Sequence, residues 1–148
     1  MRALTICQPY AELIMRGQKR VENRRWPTGY RGALLIHAGK SRQWLEPIDC
    51  EHIPLAEMVF GAVVGLVQLR GCIRWHGGIR CDPLIVEAWP WLPTHEHAEG
   101  PYCWILEDIF RFSEPIPFRG QQGLFDVPAA LVAIGLREAM KARCANHA

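Results

Sequence analysis

Three charged side chains stand close together near the start of the chain: Lys19, Glu22 and Arg24. With Gly17 they form the pattern G-x-K-x-x-E-x-R. A lysine ammonium can reach a phosphate, and a guanidinium can hold a phosphate or a base edge through two parallel hydrogen bonds. The carboxylate between them can orient the arginine or accept a hydrogen bond from a nucleobase amino group. The pattern therefore predicts a binding site for RNA, single-stranded nucleic acid or a nucleotide-like small molecule.

Two other interpretations of the same residues stay open. Glu22 could act as a general base while Lys19 stabilises developing negative charge, which would make the chain a hydrolase. An arginine–glutamate pair could also do no more than stabilise the rim of the fold, where exposed ion pairs contribute about 0–1 kcal/mol. These residues leave undecided whether the chain is an enzyme.

Four further residues extend the candidate nucleic-acid site. Tyr10 and Trp26 flank the charged pattern, and stacking on an aromatic ring contributes about 1–3 kcal/mol per base. His37 ends an apolar run and Lys40 follows it in a glycine-containing loop, so both could line the same cleft. The alternatives are aromatic rings packed in the core, a core histidine hydrogen-bonded to backbone, and a solvated surface lysine.

Neither a metal site nor a cofactor site is predicted. The spacing of His95 and His97 would place both rings on one side of an extended strand, yet no third ligand is evident, and a polar loop is the preferred interpretation. The glycines at 120 and 123 do not form a phosphate-binding loop, because no Gly-Lys-Ser/Thr follows them. The six cysteines include no C-x-x-C pair, which favours free thiols.

The first half of the chain predicts short elements that would hold the charged pattern. Period-two alternation predicts strands, and apolar spacing of three to four predicts helices. These patterns give strands over 2–7 and 19–26 and a helix over 9–16. The apolar run over 32–38 predicts a buried strand, and Ser41 could cap a short helix that contains Trp44 and Leu45. The strand over 19–26 places Glu22 and Arg24 on one face.

The second half predicts two further strands. A β-rich run covers 59–73, with room for a bend or bulge at Gly71. Another strand covers 102–112 and is broken by the Pro-Ile-Pro sequence at 115–117. Between the two strands, 75–100 is an irregular excursion.

Helical segments complete the expected architecture. One short helix is expected near 84–89, and Asp126 is expected to cap a C-terminal helix that occupies 128–148. Strands outnumber helices, so the expected fold class is α+β, a mostly antiparallel β-barrel with flanking helices.

Composition limits the class of protein. The 148 residues, 49% of them hydrophobic, suit one domain over 1–148. The net charge is +2, so nucleic acid would bind at a local patch rather than over the whole surface. No signal-peptide pattern opens the chain, and the most apolar run, 58–69, is too short to span a bilayer. A cytoplasmic protein without membrane partners is expected; the oligomeric state is not predicted.

Several motifs resemble the ASCH domain family. The more specific block comprises Gln8-Pro9-Tyr10-Ala11, Leu13-Ile14, Gly17-Gln18-Lys19, Glu22-Asn23-Arg24 and Trp26, followed by Tyr30-Arg31-Gly32 and Ile36-His37-Ala38. The closing block comprises Tyr102 with Trp104, Pro115-Ile116-Pro117 and the segment 120–125. The resemblance spans about residues 3–127, and 75–100 carries little of it.

The resemblance implies a PUA-like β-barrel with a cleft between barrel and helix, lined by the G-x-K-x-x-E-x-R motif. It also implies RNA or DNA binding, while some relatives are amidohydrolases of acetylated cytidine or ribonucleases. The amidohydrolase relatives carry a threonine nucleophile three residues after the lysine, and here that position is Glu22. Since a carboxylate cannot replace that hydroxyl in acyl transfer, the sequence departs from the amidohydrolase pattern.

Overall fold

A curled six-stranded sheet is the centre of the computed structural model, which describes residues 1–45, 53–77 and 81–145. Its strands are β1 (Arg2–Ile6), β2 (Val21–Arg24), β3 (Gly32–Ala38), β4 (Ala62–Arg74), β5 (Tyr102–Pro117) and β6 (Leu124–Asp126). They lie in the order β2-β5-β4-β3-β1-β6. The β1–β3 pair is parallel and the other pairs are antiparallel. The fold is α+β, a half-barrel with flanking helices, as the sequence predicts.

Helices cover both sides of this sheet. The α-helices of the described chain are α1 (Tyr10–Met15), α2 (Pro83–Ala88) and α3 (Ala133–Ala145), with 3₁₀ turns at Leu55–Glu57, Leu92–Thr94 and Ala129–Val132. None of these helices is long and apolar enough to cross a lipid bilayer.

The alternation of side chains along β1 shows how the two faces are filled. Leu4 and Ile6 pack in one cluster with Ile14 of α1, whereas Ala3 packs on the opposite face in a cluster that contains Ala139 of α3. A fully buried leucine or isoleucine contributes about 1.5–3 kcal/mol. The sheet is therefore held between two helices, and α1, which precedes the charged pattern, is fixed by core packing.

The start of α1 is fixed by a buried glutamine. The Gln8 side-chain oxygen accepts from the backbone N–H of Glu12 at 3.0 Å, which satisfies a donor in the first turn of the helix. The Gln8 amide in turn donates to the carbonyl oxygen of Val59 at 2.8 Å. The side chain is 1% exposed. Gln8 thus ties the beginning of α1 to the loop before β4.

The excursion between β4 and β5 covers the end of the sheet formed by β2 and β5. Leu92 is fully buried in a cluster with Val21 of β2 and Ile105 of β5, and Trp89 packs against it. The Trp89 indole N–H donates to Glu107 at 3.1 Å. The short helix expected near 84–89 is α2, which Asp82 caps by accepting from the N–H of Leu84.

Two expectations about the later strands are wrong. The Pro-Ile-Pro sequence does not break β5, which continues to Pro117 with Ile116 paired to Val63 of β4. In the described chain β2 pairs only with 102–105, so the later part of β5 has one unpaired edge, and an edge strand tolerates proline. The bulge expected at Gly71 is confirmed, since the β4–β5 register shifts between Leu69 and Gly71.

The expected helix cap and one expected helix also differ from the structure. Asp126 does not cap a helix. It is the last residue of β6 and pairs with Arg2 of β1, so its backbone belongs to the sheet. A 3₁₀ turn follows Pro128, and α3 begins only at Ala133; residues 146–148 lie outside the described part. After Ser41 the chain forms a turn over 43–45 rather than a helix, and residues 46–52 also lie outside that part.

The described cysteines carry free thiols, as expected: Cys7, Cys72, Cys81, Cys103 and Cys144. Cys50 lies outside the described residues. Burial raises the pKa of the Cys103 thiol to about 11, so that thiol stays protonated at neutral pH.

Candidate functional site

The end of α1 directs Lys19 into the protein. After Met15 the chain reverses at Gly17, whose φ of 74° is a left-handed conformation that favours glycine. The backbone N–H groups of Gln18 and Lys19 both donate to the carbonyl oxygen of Leu13, at 3.0 and 3.1 Å. Lys19 is only 3% exposed. The loop that ends the helix therefore buries an ammonium group, which needs charged or polar partners there.

Glu22 supplies the first partner. The Lys19 ammonium lies 3.1 Å from Glu22 Oε2 and also donates to the carbonyl oxygen of Val21. It lies 5.4 Å from the centre of the Tyr10 ring, a cation–π distance. Glu22 itself is 8% exposed. The two charges that the motif brings together thus form a nearly buried pair.

Arg24 holds the other oxygen of the same carboxylate. Its Nη2 lies 3.0 Å from Glu22 Oε1 and donates to the carbonyl oxygen of Thr5 at 2.8 Å. The Nε atom of Arg24 is buried without a hydrogen-bond partner in the described residues. Arg24 therefore uses Nη2 to contact both Glu22 and β1. Its role in the geometry is to position Glu22.

A cavity of about 230 Å³ lies beside the Lys19–Glu22 pair. Its lining residues are Tyr10, Lys19, Glu22, Asn23, Trp44, His97 and Glu99, and we call it the Glu22 cavity. Two aromatic rings and an imidazole surround one ammonium and two carboxylates. This combination of flat apolar surfaces and hydrogen-bonding groups suits a small polar ring system.

Asn23 fixes the far wall of the Glu22 cavity. Its Nδ2 donates to the carbonyl oxygen of His97 at 2.8 Å. Its Oδ1 accepts from the backbone N–H groups of Gly100 at 3.0 Å and Glu99 at 3.2 Å. A single amide side chain of β2 thus ties the loop over 97–100 to the strand that carries Glu22.

His95 and His97 of the excursion lie beside the strand that carries Glu22 and against each other, with ring centres 5.6 Å apart. The backbone N–H of Arg20 donates to His95 Nε2 at 3.0 Å, so that nitrogen is an unprotonated acceptor. Burial lowers the pKa of His95, and His97 and Lys19 nearby lower it further. Burial, followed by the charge of Lys19, also lowers the pKa of His97. Both rings are therefore neutral at pH 7. Within the described ranges no three His, Cys, Asp or Glu side chains are grouped to hold a metal ion.

His37 and Lys40 line a second, larger cavity. This cavity, which we call the His37 cavity, has a volume of about 720 Å³. Its lining residues are Thr5, His37, Gly39, Lys40, Gly61, Pro117, Phe118, Arg119, Gly120, Gln121 and Gln122. The loop between β5 and β6 forms one side of it. The sequence predicts one cleft for all candidate residues, whereas in the structure Tyr10, Lys19 and Glu22 line one cavity and His37 and Lys40 line another.

The His37 ring is held inside the fold. His37 is 2% exposed, and its Nε2 donates to the carbonyl oxygen of Phe118 at 2.9 Å. Because a carbonyl only accepts, Nδ1 is the bare nitrogen and accepts from the Thr5 hydroxyl at 3.3 Å. Burial lowers the pKa of His37. The imidazole is neutral at pH 7 and supplies no charge to its cavity.

The structure thus separates the sequence-predicted residues into groups. Tyr10, Lys19 and Glu22 line the Glu22 cavity, and Arg24 lies behind Glu22. Trp26 lines neither cavity; it is 36% exposed and packs edge-on against Trp104, with ring centres 4.7 Å apart. The Glu22-cavity residues that sequence reasoning missed are Asn23, Trp44, His97 and Glu99. Asn23 offered a signal, since it stands inside the motif, whereas the others come from distant loops.

The comparisons with known proteins identify the family. The model of the ASCH domain matches residues 4–115, more than half of the chain. This chain belongs to the ASCH domain family, which has a PUA-like fold. No protein with a curated description matches the sequence.

Solved structures of one bacterial protein resemble the chain along most of its length. The ASCH protein of Zymomonas mobilis superposes with a TM-score of 0.54 at 16% identity, over 92% of this chain and 93% of that chain. A variant of that protein with tyrosine replaced by phenylalanine superposes with a TM-score of 0.51 at 16% identity, over 89% of this chain and 93% of that chain. A variant with serine replaced by alanine superposes with a TM-score of 0.52 at 15% identity, over 93% of this chain and 94% of that chain. At this identity the likeness establishes the fold.

Proposed function

We propose that the chain binds RNA or single-stranded nucleic acid and takes one unpaired base into the Glu22 cavity. The observation that carries the proposal is the nearly buried Lys19–Glu22 pair at the wall of a cavity that also contains aromatic side chains. Proteins that read single strands place a splayed base between flat side chains and hydrogen-bond its edge. Tyr10, Trp44 and His97 supply the flat surfaces here.

The size of the cavity supports a base rather than a longer stretch of strand. Cavities for drug-sized ligands measure about 300–1,000 Å³, and the Glu22 cavity, at about 230 Å³, lies below that range. Its charges support the same assignment. One ammonium faces two carboxylates, Glu22 and Glu99, so the cavity favours hydrogen-bond donors over a phosphate.

Glu22 has free acceptor capacity for such donors. An ionised carboxylate offers about four lone-pair directions, and the contacts with Lys19 and Arg24 use one on each oxygen. Glutamate accepts well from the exocyclic amino group of cytosine. We therefore expect cytosine, which carries that amino group, to bind more tightly than uracil, which does not.

The test compares short labelled RNAs by fluorescence anisotropy over a salt series. Wild-type protein should bind oligo(C) more tightly than oligo(U). Glu22→Gln keeps the shape but removes the charge, and it should weaken oligo(C) binding by roughly 10-fold, within the range of about 1–3 kcal/mol for a specific base contact. Glu114→Gln, an exposed change on β5, is the matched control. No RNA binding at low salt, or equal affinities of Glu22→Gln and Glu114→Gln, would reject the proposal.

The second candidate is a hydrolase in which Glu22 is the general base and Lys19 the electrostatic stabiliser. The observation that favours it is the direct contact between the two groups beside a cavity, at 3.1 Å. Purified protein would be incubated with RNA and with acylated nucleosides, with and without divalent metal. Product formation that Glu22→Gln abolishes would support a hydrolase, whereas binding without product would leave the binding function alone.

A further inference from the structure

The His37 cavity differs from the Glu22 cavity in its charge. Its lining includes two cationic side chains, Lys40 and Arg119, and no carboxylate. The amide side chains of Gln121 and Gln122 add further hydrogen-bond donors. Since His37 is neutral at pH 7, the positive charge comes from the lysine and the arginine. A large, concave site with this balance attracts an anion.

We infer that the His37 cavity binds a phosphate group, held by Lys40 and Arg119. The preference for an anion stands on the charge and shape of this cavity, whereas its assignment to a nucleotide rests on the proposed function. Arginine can hold phosphate oxygens through two parallel hydrogen bonds, and lysine contributes a compact point charge. The phosphate belongs either to a free nucleotide or to the backbone of a strand.

Glycines shape the surface that would receive this group. A side-chain carbon at Gly120 would lie 2.6 Å from the His37 ring, so the β5–β6 loop passes close to the ring only because position 120 is glycine. A side-chain carbon at Gly61 would lie 2.7 Å from Lys40 Cε. The stem of Lys40 therefore lies across Gly61. Lys40 is exposed and lines the cavity, so its ammonium can meet an anion there while the stem packs on the glycine.

One guanidinium nitrogen contacts a lining residue of each cavity. Arg24 Nη2 contacts Glu22 Oε1, which belongs to a wall of the Glu22 cavity. The same nitrogen donates to the carbonyl oxygen of Thr5, whose residue lines the His37 cavity. A base in the first cavity and a phosphate in the second are the two parts of a nucleotide that these linings suit. Arg24 lies between them and positions residues of both walls.

The test measures binding of inorganic phosphate, cytidine and cytidine 5′-monophosphate by calorimetry at constant ionic strength. The test variant is Lys40→Met/Arg119→Gln, in which the methionine keeps a stem over Gly61. The charge-matched control is Arg137→Gln/Lys141→Met, which changes two exposed residues of α3. We expect phosphate binding to wild type and control and at least a 10-fold loss in the test variant. Cytidine 5′-monophosphate should bind more tightly than cytidine to wild type, and about equally to the test variant.

A second arm separates a free nucleotide from a strand. With a short RNA, loss of one or two phosphate contacts should reduce the slope of log affinity against log salt by about 0.7 per contact. A reduced slope in the test variant assigns the phosphate to the strand. An unchanged slope with lost mononucleotide binding assigns it to a free nucleotide.

The outcomes distinguish this inference from the proposed function. Equal phosphate affinities of the test variant and its control, or no phosphate binding by wild type, would overturn the inference even if cytidine binds. Phosphate binding that is lost only in the test variant, with no binding of cytidine or RNA to wild type, would retain the anion site and reject the base-binding function. Glu22→Gln should leave phosphate binding unchanged.

Discussion

At the scale of single residues, the site depends on one carboxylate held between two cations. Glu22 contacts Lys19 through one oxygen and Arg24 through the other. Burying ion pairs carries a desolvation cost that can exceed their attraction, so such a cluster is weak evidence for a stabilising role. Its position beside a cavity gives a functional reason to keep it. The cations fix where the carboxylate points, and the proposed base would use its remaining lone pairs.

The buried pair gives a prediction about stability. Lys19→Met leaves Glu22 with Arg24 alone, and removing one partner of a buried pair costs about 3–5 kcal/mol. We expect the free energy of unfolding in urea to fall by about 3 kcal/mol. Arg2→Met is the control, since it breaks the exposed Arg2–Asp126 pair and should cost about 1 kcal/mol or less. Equal losses in the two variants would show that the Lys19–Glu22 contact is not a buried pair in solution.

At the scale of elements, the Glu22 cavity is assembled from parts that are distant in the sequence. The end of α1 supplies Lys19, β2 supplies Glu22 and Asn23, and the excursion before β5 supplies His97 and Glu99. Core packing fixes α1, β2 and the part of the excursion around Leu92, whereas the segment 97–100 is tied to β2 by the side chain of Asn23. The cavity therefore depends on a few side-chain hydrogen bonds at one wall.

This attachment predicts a local effect of Asn23→Ala. The substitution leaves the carbonyl oxygen of His97 and the N–H of Gly100 without their partner, at a cost of about 1–3 kcal/mol. We expect faster amide hydrogen exchange over 97–100, with exchange in α3 unchanged, and weaker binding of oligo(C). Unchanged exchange in the loop would mean that Asn23 does not hold it.

The elements were predictable where the pattern is local. The alternation at 2–7, the apolar run at 32–38 and the apolar spacing at 9–16 each show within a short segment which side chains face the core, and that is enough to predict the element. The continuation of β5 through 115–117 was not predictable in this way, because proline is tolerated there only since that edge lacks a partner. Asp126 was likewise not predictable as a strand residue, because its place in β6 depends on pairing with the distant strand β1.

The site was also predictable only where its residues lie close together in the sequence. The motif indicates Lys19 and Glu22, and its position before the motif indicates Tyr10; the structure brings all three to one cavity. It cannot indicate that Arg24 points towards β1, because the partner is a backbone oxygen of Thr5. Nor can it indicate that His37 lies in another cavity, since that depends on where the β5–β6 loop passes.

At the scale of the whole molecule, one buried and two half-buried histidines make stability depend on pH. Burial lowers the pKa of His37, His95 and His97 in the folded protein, whereas in the unfolded chain histidine titrates near about 6.5. Below that pH the unfolded chain therefore binds more protons than the folded protein. We therefore expect the contribution of these histidines to the free energy of unfolding to fall as the pH is lowered through about 6.5, until the folded pKa values are reached.

The size of this effect can be measured with one substitution. His95→Gln keeps an acceptor for the N–H of Arg20 and removes the titrating ring. Each histidine contributes at most about 1.4 kcal/mol per pH unit, so the variant should show a shallower fall in unfolding free energy between roughly pH 6.5 and 5. Urea unfolding of both proteins across this range gives the two slopes. Parallel curves would show that His95 is not held neutral by the fold.

The most direct measurement of the central claim is a structure of the protein with a short cytosine-containing RNA. The account predicts an unpaired cytosine in the Glu22 cavity, flanked by Tyr10 and Trp44, with its exocyclic amino group within hydrogen-bonding distance of the Glu22 carboxylate. An RNA bound at another surface, with no base beside Glu22, would contradict it.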